Sequence, residues 1–375
     1  MSANVERMYS GEGLVPWWVG LEQGNAVVLD GLLTAVDALV PAGLDWEPEL
    51  KKLYTEHGEV EGWRALVRDD TGSHLGVVTD EYSILHNRSM AETCDLMVDG
   101  EARCTTAGVL RSGAVVWFAM KLGEFQVVGD KSPIDLYAVV TTGHDGRHRC
   151  KVLITPIRVV CQNTLRAAKL ASKWEVSILH HGDTHGRLDT AVQAARQALL
   201  FGEKFKALGD LMVTARYGEE FGPILAKVLT ATGKEKDWLK EQQVKDERPS
   251  WCPDPGLPIT EQLLQAATYI PDDLVPPRTR EERDTIERLL IGAGAVGVEG
   301  TELEGTAWGA FQGVAQWTDH GKLADMSDTK LAKGGDRRAE NILWGKGPEI
   351  KQTALDIILE QTGLTEQADS VMSFA

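Results

Sequence analysis

The sequence predicts an α+β protein, and three observations carry that expectation. Antiparallel hairpins follow one another through the middle of the chain, helical spacing dominates afterwards, and strands and helices do not alternate as a doubly wound α/β fold requires. At 375 residues the chain can bury a large core. Pattern divides it into an irregular and helical segment over 1–60, a β-rich core with a closing helix over 61–186, and a helical region with Pro- and Gly-rich loops over 187–375.

Within the first segment, LLTAVDALVPAG reads as a short amphipathic helix ended by Pro41 and Gly43. HLGVVTDEYSILHN gives two extended runs around Thr79 and Asp80, and RSMAETCDLMVDG carries helical spacing up to Gly100. ARCTTAGVLRSGAVVWFAMKL predicts a hairpin turning at Arg111-Ser112-Gly113. LYAVVTTGHDGRHRCKVLITPIRVVC predicts a second, turning at Gly143-His144-Asp145-Gly146. The strand pattern stops at Gln162, and LRAAKLASKW reads as a helix with Asn163 or Thr164 as its N-cap. A long helix is expected from Arg187 to about Arg216. Residues 245–258 and 271–284 read as Pro-rich loops, the segment around Lys234 and Lys236 as another loop, and GAGAVGVEGTELEG as a Gly-rich one. GTAWGAFQGVAQWTDHGK is an aromatic-rich helix whose Trp308, Phe311 and Trp317 do not share one face; core packing is the expectation for them.

Composition narrows the function. No apolar run approaches the ~20 residues of a membrane-spanning helix, and MSANVERMYSGEG lacks the basic-then-apolar layout of a signal peptide. No membrane partner and a cytoplasmic location are therefore expected. Five scattered cysteines (Cys94, Cys104, Cys150, Cys161, Cys252), without a CxxC pair, predict reduced and mostly buried thiols. The net charge of −17 counts against a polyanionic partner. Its distribution points the other way. Between Thr141 and Glu175 the seven cations Arg147, Arg149, Lys151, Arg158, Arg166, Lys169 and Lys173 face only Asp145 and Glu175, so that segment carries +5 and the remainder −22. A basic groove on an acidic body is the functional reading; solvated charges on separate faces is the plain one.

Catalytic and metal motifs are incomplete. His180, His181, Asp183 and His185 could contribute to a divalent-metal site, but no HExxH or second ligand cluster completes it, and a surface turn explains the cluster as well. GAGAVG at 292–297 follows a helical pattern rather than a strand, and WGKG at 344–347 lacks the rest of a phosphate loop. The sequence thus predicts a binding protein without a cofactor rather than an enzyme. TTGHDGRHR leading into TPIRVVCQNTL brings polar side chains and backbone N–H groups to the ends of adjacent elements, next to Arg158, Arg166, Lys169 and Lys173, a setting suited to anions.

DEYSILHN, TAGVLRSGAVVWFAMKL, TTGHDG and TPIRVVCQNTL, in that order, resemble the phage/plasmid-like protein family, a domain of unknown function found in phages and plasmids of bacteria. GTAWGAFQGVAQWTDH and RRAENILWGKGPEIKQTALDIIL resemble its C-terminal pattern, so the likeness covers about residues 10–360. LHHGDTHG departs from the family's simpler His-Thr step, which puts the role of His181 and His185 in doubt. The resemblance implies a phage, prophage or plasmid gene product acting in the bacterial cytoplasm. By fold-level analogy, a block of hairpins closed by a helix is similar to phage strand-annealing recombination proteins, which hold single strands by the sugar-phosphate backbone. The expected partners are then single-stranded DNA and further copies of the chain, with the seven cations as phosphate contacts and Trp174 or another aromatic as a stacking platform. A host protein is the alternative partner, and a metal-dependent nuclease a third reading.

Overall fold

The computed structural model describes residues 5–11, 26–158, 163–164, 175–178, 184–320 and 346–373. Eleven strands form among them: β1 (Val5–Ser10), β2 (Ala26–Val28), β3 (Pro48–Thr55), β4 (Gly58–Arg68), β5 (His74–Thr79), β6 (Cys104–Leu110), β7 (Val115–Phe125), β8 (Ile134–Gly143), β9 (Cys150–Arg158), β10 (Asn163–Thr164) and β11 (Glu175–Ile178). The helices are α1 (Leu39–Ala42), α2 (Asn87–Met97), α3 (Thr184–Thr214), α4 (Phe221–Leu229), α5 (Gly233–Gln243), α6 (Ile259–Ala266), α7 (Pro277–Leu290), α8 (Ala307–Asp319), α9 (Lys346–Gln361) and α10 (Thr365–Met372). The α+β class is as the sequence predicts.

Both predicted hairpins form. β6 turns at Arg111–Gly113 into β7, and β8 turns after Gly143 into β9. They build the middle of a large sheet ordered β10-β9-β8-β7-β6-β1-β2, with β11 also pairing β9. β10 and β11 share the outer edge of β9, at its Arg158 and Cys150 ends respectively. A separate sheet, β3-β4-β5, stands beside the N-terminus of α2. β6 and β8 are buried along their whole length, so the large sheet is covered on both faces there. On one face Phe118, Met120, Leu136, Val140, Val152 and Ile154 pack against Phe201, Phe205 and Leu208 of α3. Phe205 makes an edge contact with Trp308, which joins α8 and the C-terminal helices to the same core.

Several local expectations change. Residues 5–10 and 26–28 are strands of the large sheet, and the expected boundary after residue 60 falls inside β4. That after residue 186 falls inside α3. The predicted helix near Pro41 is one turn, closed by Gly43 at φ 70°. The second Pro-rich loop ends early, because Pro277 opens α7, where a missing N–H costs nothing. Lys234 and Lys236 lie on α5, not in a loop; a Thr232/Glu235 capping box starts that helix. Asn163 and Thr164 are paired as strand with Arg158 and Ile157. Trp308, Phe311 and Trp317 are all buried, as core packing requires. Cys94, Cys104, Cys150 and Cys252 are free and buried, and Cys161 lies outside the described residues.

Candidate functional site

The β8–β9 turn is built to hold its own carboxylate and present its cations. His144 is buried; its Nε2 lies 2.8 Å from Asn87 Oδ1, and its ring stands edge-on to Trp46. Asn87 in turn donates to the carbonyl of Trp46 at 2.8 Å. Glu47 accepts the backbone N–H groups of Asn87 and Arg88, two of the free donors in the first turn of α2. The turn thereby locks onto the small sheet. A Cβ at Gly76 would come within 2.4 Å of the Asp145 carbonyl, and one at Gly146 within 2.7 Å of Val78. Gly146 also sits at φ 74°, so glycine is needed there twice over.

Asp145 faces inward. Its Oδ1 accepts from the N–H groups of Arg147 and His148, and its Oδ2 is 2.7 Å from His148 Nδ1. Partial burial works against its charge, but the bond with His148 and the two backbone bonds outweigh it and hold the carboxyl well below the usual range. Arg147 and Arg149 are exposed on the same turn, and neither forms an ion pair among the described residues. The acceptor capacity of the Asp145 carboxylate is taken up within the turn; the two guanidiniums point away from it.

The sheet face away from α3 gathers polar groups in cross-strand rows. Strand register places Lys121, Tyr137 and Thr155 in one row, and Trp117, Thr141, Lys151 and Ser177 in another. Lys121 pairs with Asp135 at 2.8 Å, and Tyr137 donates to the other oxygen of Asp135 at 3.2 Å. Thr155 Oγ1 is buried with no hydrogen-bond partner. A second buried polar stripe runs along α8, through Trp308, Gln312 and Asp319 at helical spacing. Trp308 donates to Asp130 at 3.1 Å, and Asp319 pairs with Lys351 at 2.7 Å with both side chains fully buried. Gln312, between them, is buried with both amide atoms unpartnered among the described residues. β10 lies against α8, so Asn163 and Thr164 of the CQNT stretch sit beside this helix.

These elements are where a known family maps. A model described as "Domain of unknown function (DUF932)" matches residues 74–343. The chain belongs to the DUF932 family. The match begins at β5, spans the turn, β10 and α8, and ends just before α9. No curated protein and no solved structure matches the chain.

Of the cations expected to bind phosphate, Arg147, Arg149 and Lys151 lie together on the β8–β9 hairpin, with Lys151 half-buried. Arg158 is at the far end of β9, seven residues and roughly 23 Å from Lys151, at a strand position of opposite parity. Arg166, Lys169, Lys173 and Trp174 lie outside the described residues, as do His180, His181 and Asp183; His185 lies in the first turn of α3. Among the described residues no group of three or more His, Cys, Asp or Glu could hold a metal ion, and no helix is long and apolar enough to cross a membrane. Sequence reading missed the Lys121–Asp135–Tyr137 cluster and Gln312, because register and helix packing alone bring these groups together.

Proposed function

We propose that this DUF932 protein is a phage- or plasmid-encoded nucleic-acid-binding protein that holds single-stranded DNA by its backbone, with Arg147 and Arg149 as phosphate contacts. One observation carries the reading: the turn's only carboxylate is occupied by His148 and two backbone N–H groups, while the two arginines are exposed and without ion pairs among the described residues. Guanidinium groups freed of carboxylates suit phosphate oxygens, and the turn that carries them is fixed by His144 and Asn87. The finer proposal is strand annealing by an oligomer in the bacterial cytoplasm, with Lys151, Arg158, Arg166, Lys169 and Lys173 extending the contact.

A gel shift with labelled single strands of unrelated sequence tests it. Retention of all of them at low salt, weakening steeply at moderate salt, is expected. No retention even at low salt would contradict it and turn the reading to a host protein, which the net charge of −17 favours.

A further inference from the structure

Three aromatic rings from separate elements form a ladder on the helical side of the molecule. Trp251, in the Pro-rich loop, lies parallel to Trp238 of α5 with centroids 5.6 Å apart and planes 7° apart. Trp251 is also parallel to Tyr269, just beyond α6, at 4.6 Å and 8°. Such parallel stacking is unusual in this chain, whose other described aromatic contacts are tilted or edge-on. Tyr269 remains 50% exposed at the end of the ladder. The loop behind it is pinned: Arg248 donates to the Cys252 carbonyl at 2.9 Å, Cys252 N–H donates to Pro249 at 3.0 Å, and Gln243 reaches the Pro253 carbonyl at 3.4 Å.

We propose that Tyr269, backed by Trp251 and Trp238, is a base-stacking platform for single-stranded nucleic acid. The inference rests on the proposed function and assigns it a second contact of different physics. A flat heteroaromatic ring continues a ladder of parallel rings, whereas an aliphatic partner gains nothing from the shared plane. Arg248 supplies the charge complement. It is exposed, bonded to the carbonyl of Cys252, the residue after Trp251, and makes no ion pair among the described residues. Aromatic faces interleaved with cations are the composition by which single strands are held without sequence preference. Asp246 and Glu247 precede Arg248 in the same exposed turn, so phosphate attraction here is small and stacking supplies the larger share.

The test compares Tyr269→Leu and Tyr269→Phe with the unaltered protein by fluorescence anisotropy, using oligo-dT and an abasic sugar-phosphate strand of equal length. The leucine variant is expected to lose about tenfold in affinity for oligo-dT without a change in salt slope, and the phenylalanine variant to retain it. On the abasic strand the three proteins are expected to bind alike. Thermal melts of both variants establish that the fold is kept. Unchanged oligo-dT affinity for Tyr269→Leu, or an equal loss on the abasic strand, would overturn the platform while leaving DNA binding in place. Absence of any binding by the unaltered protein would overturn both.

Discussion

At the turn between β8 and β9, the His144 imidazole and the Asp145 carboxylate, together with the Asn87 amide of α2 that anchors the turn, all have partners within hydrogen-bond distance. On the buried face of α8, by contrast, the ion pair of Asp319 with Lys351 sits two helical turns from a Gln312 amide that has no hydrogen-bond partner among the described residues. Both regions bury polar groups deeply; they differ in whether the protein completes the network. A completed network fixes one geometry, which the proposed role of the turn in presenting two cations to phosphate requires. An incomplete one leaves a standing cost of roughly 1–3 kcal/mol for an unmade bond, which packing around Trp308, Phe311 and Trp317 must offset.

Three substitutions test that contrast, from the largest expected effect to the smallest. Lys351→Met removes the cation paired with Asp319 while both positions stay fully buried, and is expected to cost about 3–5 kcal/mol in denaturant unfolding. A loss under about 1 kcal/mol would mean the pair is not buried in solution. His144→Ala opens a gap beside Trp46 and leaves Asn87 Oδ1 without its bond, for an expected loss of about 2–4 kcal/mol. Because the turn loses its anchor, DNA affinity should fall with it; stability loss without affinity loss would separate the turn from binding. Gln312→Leu removes two unpaired atoms at similar volume, so unfolding should be unchanged or shifted toward slightly greater stability. Destabilisation there by more than about 1 kcal/mol would reveal a bound water or other guest completing the amide.

The hairpins and α3 were legible because their signals are local. Gly113 at φ 100° and Gly146 at φ 74° mark turns that strand alternation on either side confirms. β1 and β2 were not, since each finds its partner about a hundred residues or some twenty residues away and carries no hairpin signal. Pro276-Pro277 read as a loop although proline is favoured in the first turn of α7. The candidate site shows the same limit. Arg147 and Arg149 could be found as part of a charge run, but the hydrogen bonds that occupy Asp145 within the turn could not. The ladder of Trp238, Trp251 and Tyr269 draws on three elements whose proximity exists only in the fold.

The proposed phosphate contact is tested most directly by the salt dependence of single-strand binding in a matched pair of variants. Each phosphate contact adds about −0.7 to the slope of log affinity against log salt. Replacing Arg147 and Arg149 together by Ala is expected to flatten that slope by roughly one to one and a half units with the thermal melt unchanged. Replacing Lys234 and Lys236 on α5 removes the same charge from another part of the chain and is expected to leave the slope nearly as it was. Equal losses from the two double variants would contradict the account, because they would show that overall charge, rather than the β8–β9 turn, was being measured.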